Sequence, residues 1–307
     1  MRILGHIHTF NDEEVIDKSL KSLLEQTLPL DEILIVDNNS TDNTLKRTFP
    51  KNTHIIRHHE NLGTSGAVFT GFKYALENNY DWIWIFDGDS APHKDALEIL
   101  INLYYGLPKE EQEKTWLISG LPVDIHTKQC HHGMVFDAKG LRQVNPDALH
   151  EYYPFDATMW TASLYNLRAV KNIGLPSIDY VLDWGEYQYG YKGKINGLKA
   201  YMHQKSIVDH NIGHQSSLNL KPHRLGPISL KMIEFPPIRC YYLLRNNLYF
   251  WLHEYNSRSF YILLSCLLFP GFYLANFILR PISHKSELWA CLRGIWDGLL
   301  KNMQNRY

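Results

Sequence analysis

Cysteine is scarce in this chain: Cys130, Cys240, Cys266 and Cys291 stand far apart and form no CxxC pair. Neither a zinc site nor a disulfide framework is therefore expected, and a reducing, cytosolic compartment fits. Charge of one sign is also lacking, since the net charge is -1 at pH 7, which argues against a nucleic-acid partner. No apolar leader with a cleavage site opens the chain; Met1-Arg2-Ile3-Leu4-Gly5-His6 runs straight into a strand-like stretch, and the expectation is a chain that is not secreted. No G-x-G-x-x-G follows that first strand, which disfavours a nicotinamide-dependent oxidoreductase. Internal repeats and low-complexity segments are missing as well.

What is present suffices for a sizeable core. With 307 residues, 45% hydrophobic and 21% charged, the chain suits one large domain, or one domain plus an extension. The charge is unevenly spread: residues 1–215 carry 20 Lys+Arg against 28 Asp+Glu, net -8, and residues 216–307 carry 11 against 4, net +7. Such a contrast assigns different work to the two ends.

The first hundred residues alternate β-branched runs with helical patterns. Strands are expected at Arg2–Thr9, Glu32–Asp37, Thr53–Arg57 and Trp82–Phe86, and helices at Glu14–Gln26, Thr41–Phe49 and Ser65–Asn78. Short connections between them imply βαβ units and a parallel sheet covered on both faces, hence the α/β class. From about 115 to 215 the pattern is less regular, with a strand at Trp116–Ser119, a helix at Leu167–Ile173 and many aromatic residues. That segment offers many aromatic stacking faces. Pro222, Pro227, Pro236 and Pro237 then precede a helical, aromatic stretch from Arg239 to Tyr255.

In parallel α/β sheets ligands bind beyond the carboxyl ends of the strands. Those ends carry Thr9-Phe10-Asn11, Asp37-Asn38-Asn39-Ser40, Asn61-Leu62-Gly63 and Asp87-Gly88-Asp89, all polar or Gly-rich. The last follows the continuously apolar run Trp82-Ile83-Trp84-Ile85-Phe86. Two carboxylates at i and i+2 can turn to one side of a strand end, and Gly88 admits a bulky anion close to the backbone. Mg²⁺ or Mn²⁺, held by carboxylates and by phosphate oxygens of a substrate, suits that arrangement. A plain acidic turn is the alternative, since Asp and Gly are common turn residues.

Four motifs in order, across roughly the first 90 residues, carry a resemblance. They are His8-Thr9-Phe10-Asn11, the run from Ile33 through Asp37-Asn38-Asn39-Ser40 to Asp42, Asn61-Leu62-Gly63-Thr64-Ser65-Gly66, and Asp87-Gly88-Asp89. The chain resembles the family-2 inverting glycosyltransferases of the GT-A fold, in particular the bacterial rhamnosyltransferase and galactofuranosyltransferase branch. The resemblance implies a nucleotide-diphospho-sugar transferase with a Rossmann-like, mostly parallel sheet and a helical C-terminal extension. Residues 1–215 would be the catalytic domain, divided into a nucleotide-binding half (1–90) and an acceptor-side half (91–215), with 216–307 as the helical region.

Residue by residue, the resemblance places Thr9, Asn11 and Asn38 in the nucleotide pocket. Asp37 would accept from N3–H of a uracil or thymine, in keeping with a carboxylate that can only accept; alternatively, Ser40 and Asp42 cap the helix that follows. Asn61, Gly63 and Gly66 would wrap ribose or phosphates at a helix N-terminus. Asp87 and Asp89 would hold Mn²⁺ or Mg²⁺, joined by His210 from Ile207-Val208-Asp209-His210-Asn211, with His214 as the fallback ligand. Asp179-Tyr180-Val181-Leu182-Asp183-Trp184-Gly185-Glu186 resembles the acidic motif that supplies a catalytic base. Asp183 is the first candidate, with Glu186 and Asp179 as alternatives because Trp184 stands where a second adjacent acid is usual. Arg245, in Tyr241-Tyr242-Leu243-Leu244-Arg245-Asn246-Asn247, would reach the diphosphate bidentately or else cap a helix or pair with an acid.

The implied function is metal-assisted, inverting transfer of rhamnose, galactofuranose or a similar sugar from a UDP- or dTDP-sugar to a glycan or lipid-linked acceptor in cell-surface polysaccharide assembly. A polyprenyl phosphate acceptor and a non-catalytic nucleotide-sugar binding protein are the rival readings. Phe260–Leu279 is uncharged over a length that would span a bilayer. Pro270-Gly271, Ser265 and Asn276 within it, and a mean hydropathy of -0.30 for the chain, favour two shorter amphipathic helices at the interface. There Arg258, Arg280, Lys285, Arg293, Lys301 and Arg306 would face anionic headgroups, with Trp289 and Trp296 at the boundary. A helical bundle or a homo-oligomer contact is the alternative. The expected location is cytoplasmic, peripheral to the membrane.

Overall fold

The computed structural model describes residues 1–147, 149–211, 221–225, 228–232, 235–257, 259–278 and 285–304. Its first elements are β1 (Ile3–Thr9), α1 (Ile16–Leu24), β2 (Glu32–Asp37), β3 (Thr53–Arg57), α2 (Gly63–Glu77), β4 (Trp82–Asp87), β5 (Ser90–Pro92) and α3 (Ala96–Gly106). There follow α4 (Lys109–Lys114), β6 (Thr115–Asp124), β7 (Met134–Asp137), β8 (Gly140–Gln143), β9 (Tyr152–Phe155), β10 (Ser163–Asn166), α5 (Leu167–Ile173), α6 (Gly185–Ile195) and β11 (Lys199–His210). The last are β12 (Lys221–Leu225), β13 (Ile228–Met232), α7 (Pro237–Tyr249), a π-helical turn at Phe250–Glu254, α8 (Phe260–Ile278) and α9 (Lys285–Leu299). They sort into two compact units, the first made of Met1–Val135, Leu141–Ile178 and Glu186–Ile212, the second of Phe136–Gly140, Asp179–Gly185 and Gly213–Tyr307.

The first unit is built on one sheet in the order β3-β2-β1-β4-β10-β6-β11-β5, with β9 added on β11. Strands β1 to β4 are mutually parallel, as is the β6–β11 pair, whereas β10 runs antiparallel between β4 and β6. The α/β class is as expected, and the sheet is mostly parallel at the end that the motifs occupy. Alternation along each strand feeds two cores. Leu34 and Val36 of β2 and Ile83 and Ile85 of β4 join α2 through Ala67, Val68 and Phe72. Ile33, Ile35, Trp82, Trp84 and Phe86 join α1 and α3 through Leu20, Leu23 and Leu97. Burying a side chain such as Phe86 contributes about 1.5–3 kcal/mol, and a strand buried on both faces must be apolar throughout.

Thr41–Phe49 is not the expected short helix but a run of bends and turns. Polar side chains take the amides that a helix would need: Thr41 N donates to Asn11 Oδ1 (2.8 Å), Asn43 N to Glu13 Oε2 (2.8 Å) and Thr44 N to Asp42 Oδ1 (2.9 Å). Side-chain oxygens here outcompete helical carbonyls, so Ser40 and Asp42 cap no helix. Trp116–Ser119 extends to the longer β6, and β11 continues through Val208 to His210.

The second unit packs α7 against α9. A Cβ on Gly294 would stand 2.5 Å from the carbonyl oxygen of Tyr241, and one on Gly298 would stand 2.7 Å from that of Arg245. Only glycine permits so close a backbone approach. Cys240, Tyr241, Tyr242 and Leu244 of α7 share a core with Val181, Tyr273, Ala290 and Cys291. Phe260–Ile278 forms a single helix with Pro270 inside it, where two shorter ones were expected; Leu279 lies outside the described residues, as do Arg258, Arg280 and Arg306. Among the described residues no helix is long and apolar enough to cross a membrane.

Candidate functional site

The site begins where β4 ends. Parallel pairing puts His8 of β1 in register with Asp87, and the antiparallel pairing of β5 with β11 puts His210 opposite Ser90. Asp87, Asp89 and His210 are thereby brought together, each with one ligand atom, all within 4.8 Å of one another. His210 Nε2 lies 3.2 Å from Asp87 Oδ2 and 3.3 Å from Asp89 Oδ1. Ligands at right angles around an ion with bonds of about 2.1 Å stand about 3 Å apart, so this donor set fits a divalent cation. Two carboxylates suit Mn²⁺ or Mg²⁺, and the imidazole, a ligand of transition metals, fits Mn²⁺ better than Mg²⁺. His214, the fallback ligand, lies outside the described residues.

Electrostatics tie the three groups tightly. Burial alone would push the His210 imidazole down, but its hydrogen bonds to Asp87 and Asp89 outweigh that and raise it to about 10. Burial would raise the Asp87 carboxyl, yet His8 and His210 together hold it well below the usual carboxylate range. The cluster thus keeps the Asp87 carboxyl ionised and favours positive charge beside it.

Two participants escaped the sequence reading. His8 places Nε2 2.5 Å from Asp87 Oδ1, on the side away from His210. Asp12 lies under the turn: its Oδ2 accepts from Thr9 Oγ1 (2.7 Å) and from Phe10 N (3.1 Å), and its own N donates to Thr44 Oγ1 (2.8 Å). Burial, with the Asp89 and Asp87 charges adding to it, carries the Asp12 carboxyl up to about 6 despite those bonds. Any Cβ on Gly88 would run into that carboxylate, which is a reason for glycine between the aspartates that the motif alone does not supply. His8 stands in the sequence as the first residue of the His8-Thr9-Phe10-Asn11 motif, without a role of its own, which needed the strand register.

The donor-side candidates form one mesh across the strand ends. Asn11, at φ 58, donates its N–H to Ser40 Oγ (2.9 Å). Asp37 is fully buried; Oδ1 accepts from Ser40 Oγ (2.5 Å), Oδ2 accepts from Ser40 N (3.0 Å), and Arg57 Nε stands 3.4 Å from Oδ2. Asn38 N donates to the Thr9 carbonyl (2.9 Å), while its Nδ2 donates to the Gly63 carbonyl (3.0 Å). Gly63, at φ 70, opens α2 and donates its N–H to Asn61 Oδ1 (2.8 Å). Gly66 sits one turn on, where a Cβ would strike Leu62.

Asp183 and Arg245 belong to the second unit. Asp183 and Trp184 adopt φ 58 and φ 71 in succession, an uncommon conformation for residues with a Cβ. The Asp183 carboxylate accepts from Arg239 Nε (3.1 Å) and Nη2 (3.0 Å), while the Asp183 carbonyl accepts from Asn246 Nδ2 (2.9 Å). Arg245 is fully buried, and it binds protein acceptors where a diphosphate was expected. Its guanidinium donates to Asn246 Oδ1 (2.9 Å), to the carbonyls of Met303 (3.4 Å) and Gln304 (3.3 Å), and to the Asp179 carbonyl. Glu186 stands in the first turn of α6, in the first unit.

Residues 6–110 match the family described as glycosyl transferase family 2. Over 185 residues the chain is 24% identical to galactofuranosyltransferase GlfT1 of Mycobacterium tuberculosis, covering 57% of this chain and 59% of that protein. It is 32% identical over 95 residues to the uncharacterized protein MJ1222 of Methanocaldococcus jannaschii, 31% of this chain and 38% of the other. The chain therefore spans under two thirds of the length of the curated relatives it matches. Among solved structures, GalNAc-T7 with UDP, GalNAc and Mn²⁺ superposes with a TM-score of 0.57 at 14% identity, over 68% of this chain and 44% of that one. S. aureus TarS 1-349 in complex with UDP-GlcNAc gives 0.54 at 15% identity, over 99% and 88%. With these matches and the sheet described above, residues 6–110 constitute a glycosyl transferase family 2 domain, and the chain that carries it has the GT-A fold.

Proposed function

We propose that this protein is a metal-dependent, inverting glycosyltransferase. It would move a sugar, with galactofuranose or rhamnose the leading candidates, from a UDP- or dTDP-sugar to a glycan or lipid-linked acceptor in polysaccharide assembly. The observation that carries the reading is the Asp87, Asp89 and His210 cluster at the carboxyl end of the strands of a family-2 domain. Support comes from the solved relatives, one described with UDP, GalNAc and Mn²⁺ and another in complex with UDP-GlcNAc. Residues 1–215 would act as the catalytic domain and the basic remainder as an attachment to the cytoplasmic face of a membrane.

In this reading Asp87, Asp89 and His210 would hold Mn²⁺ or Mg²⁺, which would supply Lewis-acid neutralisation of the charge growing on the leaving diphosphate. Thr9, Asn11, Asp37, Asn38, Asn61, Gly63 and Gly66 shape the nucleotide side through the mesh of the strand ends. Asp183 takes the proton of the acceptor hydroxyl as that oxygen bonds to the anomeric carbon. The bond from that carbon to the diphosphate oxygen breaks, and its electron pair leaves with the nucleoside diphosphate. Arg239 positions the Asp183 carboxylate through both of its oxygens.

The test is transfer or donor hydrolysis with a panel of UDP- and dTDP-sugars, with and without Mn²⁺ or Mg²⁺. Turnover that appears with one donor and requires the cation supports the proposal. Turnover unchanged after chelation, or in Asp89→Ala, sinks it.

A further inference from the structure

Helix α9 is amphipathic in reverse. Its inward face consists of Ala290, Cys291, Gly294 and Gly298, all buried, seated against the α7 backbone. Its large apolar side chains turn the other way: Trp289 is 72% exposed and Trp296 64%, with Leu292 and Leu299 exposed between and after them. Spacings of three, four and three residues put these four on one stripe. Helix α8 repeats the arrangement. It buries Ile262, Cys266 and Tyr273 and exposes Leu263, Leu267 and Leu268, with Leu267 at 73%. Isolated exposed leucines are ordinary, but outward stripes on two neighbouring helices mark a surface that meets something apolar.

Charge decides what it meets. From Phe260 to Leu279 there is no charged residue, and the exposed charges along α9 and just beyond it are cations, Lys285, Arg293 and Lys301. Of the two acids of α9, Asp297 is buried, accepting from Tyr241 Oη (2.7 Å) and Asn302 Nδ2 (3.0 Å) with Arg293 Nε at 4.0 Å, and Glu287 is partly buried and accepts from Ser286 Oγ (3.0 Å). A second copy docked through the same face would bring a second set of the same cations into the interface. An anionic bilayer would receive the same cations favourably and hold indole rings at headgroup depth.

We propose that the outward faces of α8 and α9 form a docking surface for an anionic phospholipid bilayer, lying in the interface without crossing it. This names the surface behind the membrane location in the proposed function. Its test uses vesicles and no transfer reaction, so the two readings stand or fall separately. The full chain is sedimented with vesicles of phosphatidylglycerol and phosphatidylcholine, with phosphatidylcholine alone, and at low and high salt. Binding is expected to the anionic vesicles only, weakened by salt and by Lys285→Glu with Lys301→Glu. Trp289→Ser with Trp296→Ser should lower the affinity about tenfold or more without altering donor hydrolysis. Should that variant not fold, quenching of wild-type tryptophan fluorescence by brominated anionic lipid gives the same reading. The proposal is overturned by vesicle binding indifferent to these substitutions or to lipid charge. It is equally overturned by no vesicle binding, whether or not the chain self-associates in analytical ultracentrifugation.

Discussion

His8 Nε2 lies 2.5 Å from Asp87 Oδ1, across the β1–β4 ladder. A carboxylate only accepts, so Nε2 must carry the hydrogen. Asp87 is then held on one oxygen by His8 and presents the other, Oδ2, to His210. A partner of this kind fixes the orientation of a metal-binding carboxylate, and its loss typically lowers metal affinity by about 10–100-fold. His8→Phe should therefore weaken Mn²⁺ binding in isothermal titration by that factor, and His8→Gln, which retains a donor, should recover part of it. Equal effects of the two variants would assign His8 to packing alone.

Removing a ligand should do more. Asp89→Ala and His210→Ala are expected to abolish measurable Mn²⁺ binding and to cut transfer by roughly a hundredfold or more. A chelator should silence the wild type, and added Mn²⁺ or Mg²⁺ should restore it.

Gly88 allows a test of geometry without touching a ligand. A methyl there collides with the Asp12 carboxylate, so Gly88→Ala should cost about 1–3 kcal/mol in chemical denaturation through overpacking. In an Asp12→Ala background the same change should cost markedly less, because neighbouring substitutions couple. Additive costs would show that the close approach is unimportant.

Asp183→Asn should lower transfer by about 10²–10⁴-fold, the usual contribution of a general base, while leaving nucleotide-sugar binding unchanged in calorimetry. Arg239→Gln should lower kcat with a smaller effect on donor KM, because it frees the carboxylate that it positions. Loss of donor binding in Asp183→Asn would remove Asp183 from the role of base.

His6 predicts a pH effect. It is fully buried, neither ring nitrogen has a hydrogen-bond partner among the described residues, and burial, with the His8 ring beside it, holds its imidazole well below the ordinary value. Below about pH 6.5 the unfolded chain takes up a proton at His6 that the folded chain refuses, so stability falls as pH drops, by about 1.4 kcal/mol per unit. Above that pH this contribution is constant. His6→Leu should flatten the dependence between pH 6.5 and 5 in urea titrations and leave stability at pH 8 equal or higher, since it removes two unsatisfied buried nitrogens.

Much of the architecture is legible in the chain from its β-branched runs and helical periodicity. Glu32–Asp37 and Thr53–Arg57 are found where the patterning puts them, as is the helix Leu167–Ile173. Thr41–Phe49 misleads because its helical spacing is overridden by Asn11 and Glu13, thirty residues upstream in the fold of the β1 loop. At the site, Asp87 and Asp89 announce themselves by type and spacing. His8 and Asp12 do not, because their importance comes from register and from a collision course with Gly88. Arg245 misleads in the opposite sense: a guanidinium in an aromatic helix reads as a phosphate ligand until the carbonyls of Asp179, Met303 and Gln304 are seen around it.

The pairing of β5 with β11 has a consequence for the order of events in synthesis. Asp87 and Asp89 emerge from the ribosome long before His210; β1 to β4, β10 and β6 can pair without β11, whereas among the described residues β5 and β9 pair only with β11. A truncated or nascent chain ending ahead of β11 carries two adjacent carboxylates with no imidazole between them, whereas the finished chain closes the triangle. Cation uptake during refolding is thus a clock hand for the docking of the final strand, separable in time from the collapse of the β1–β4 core.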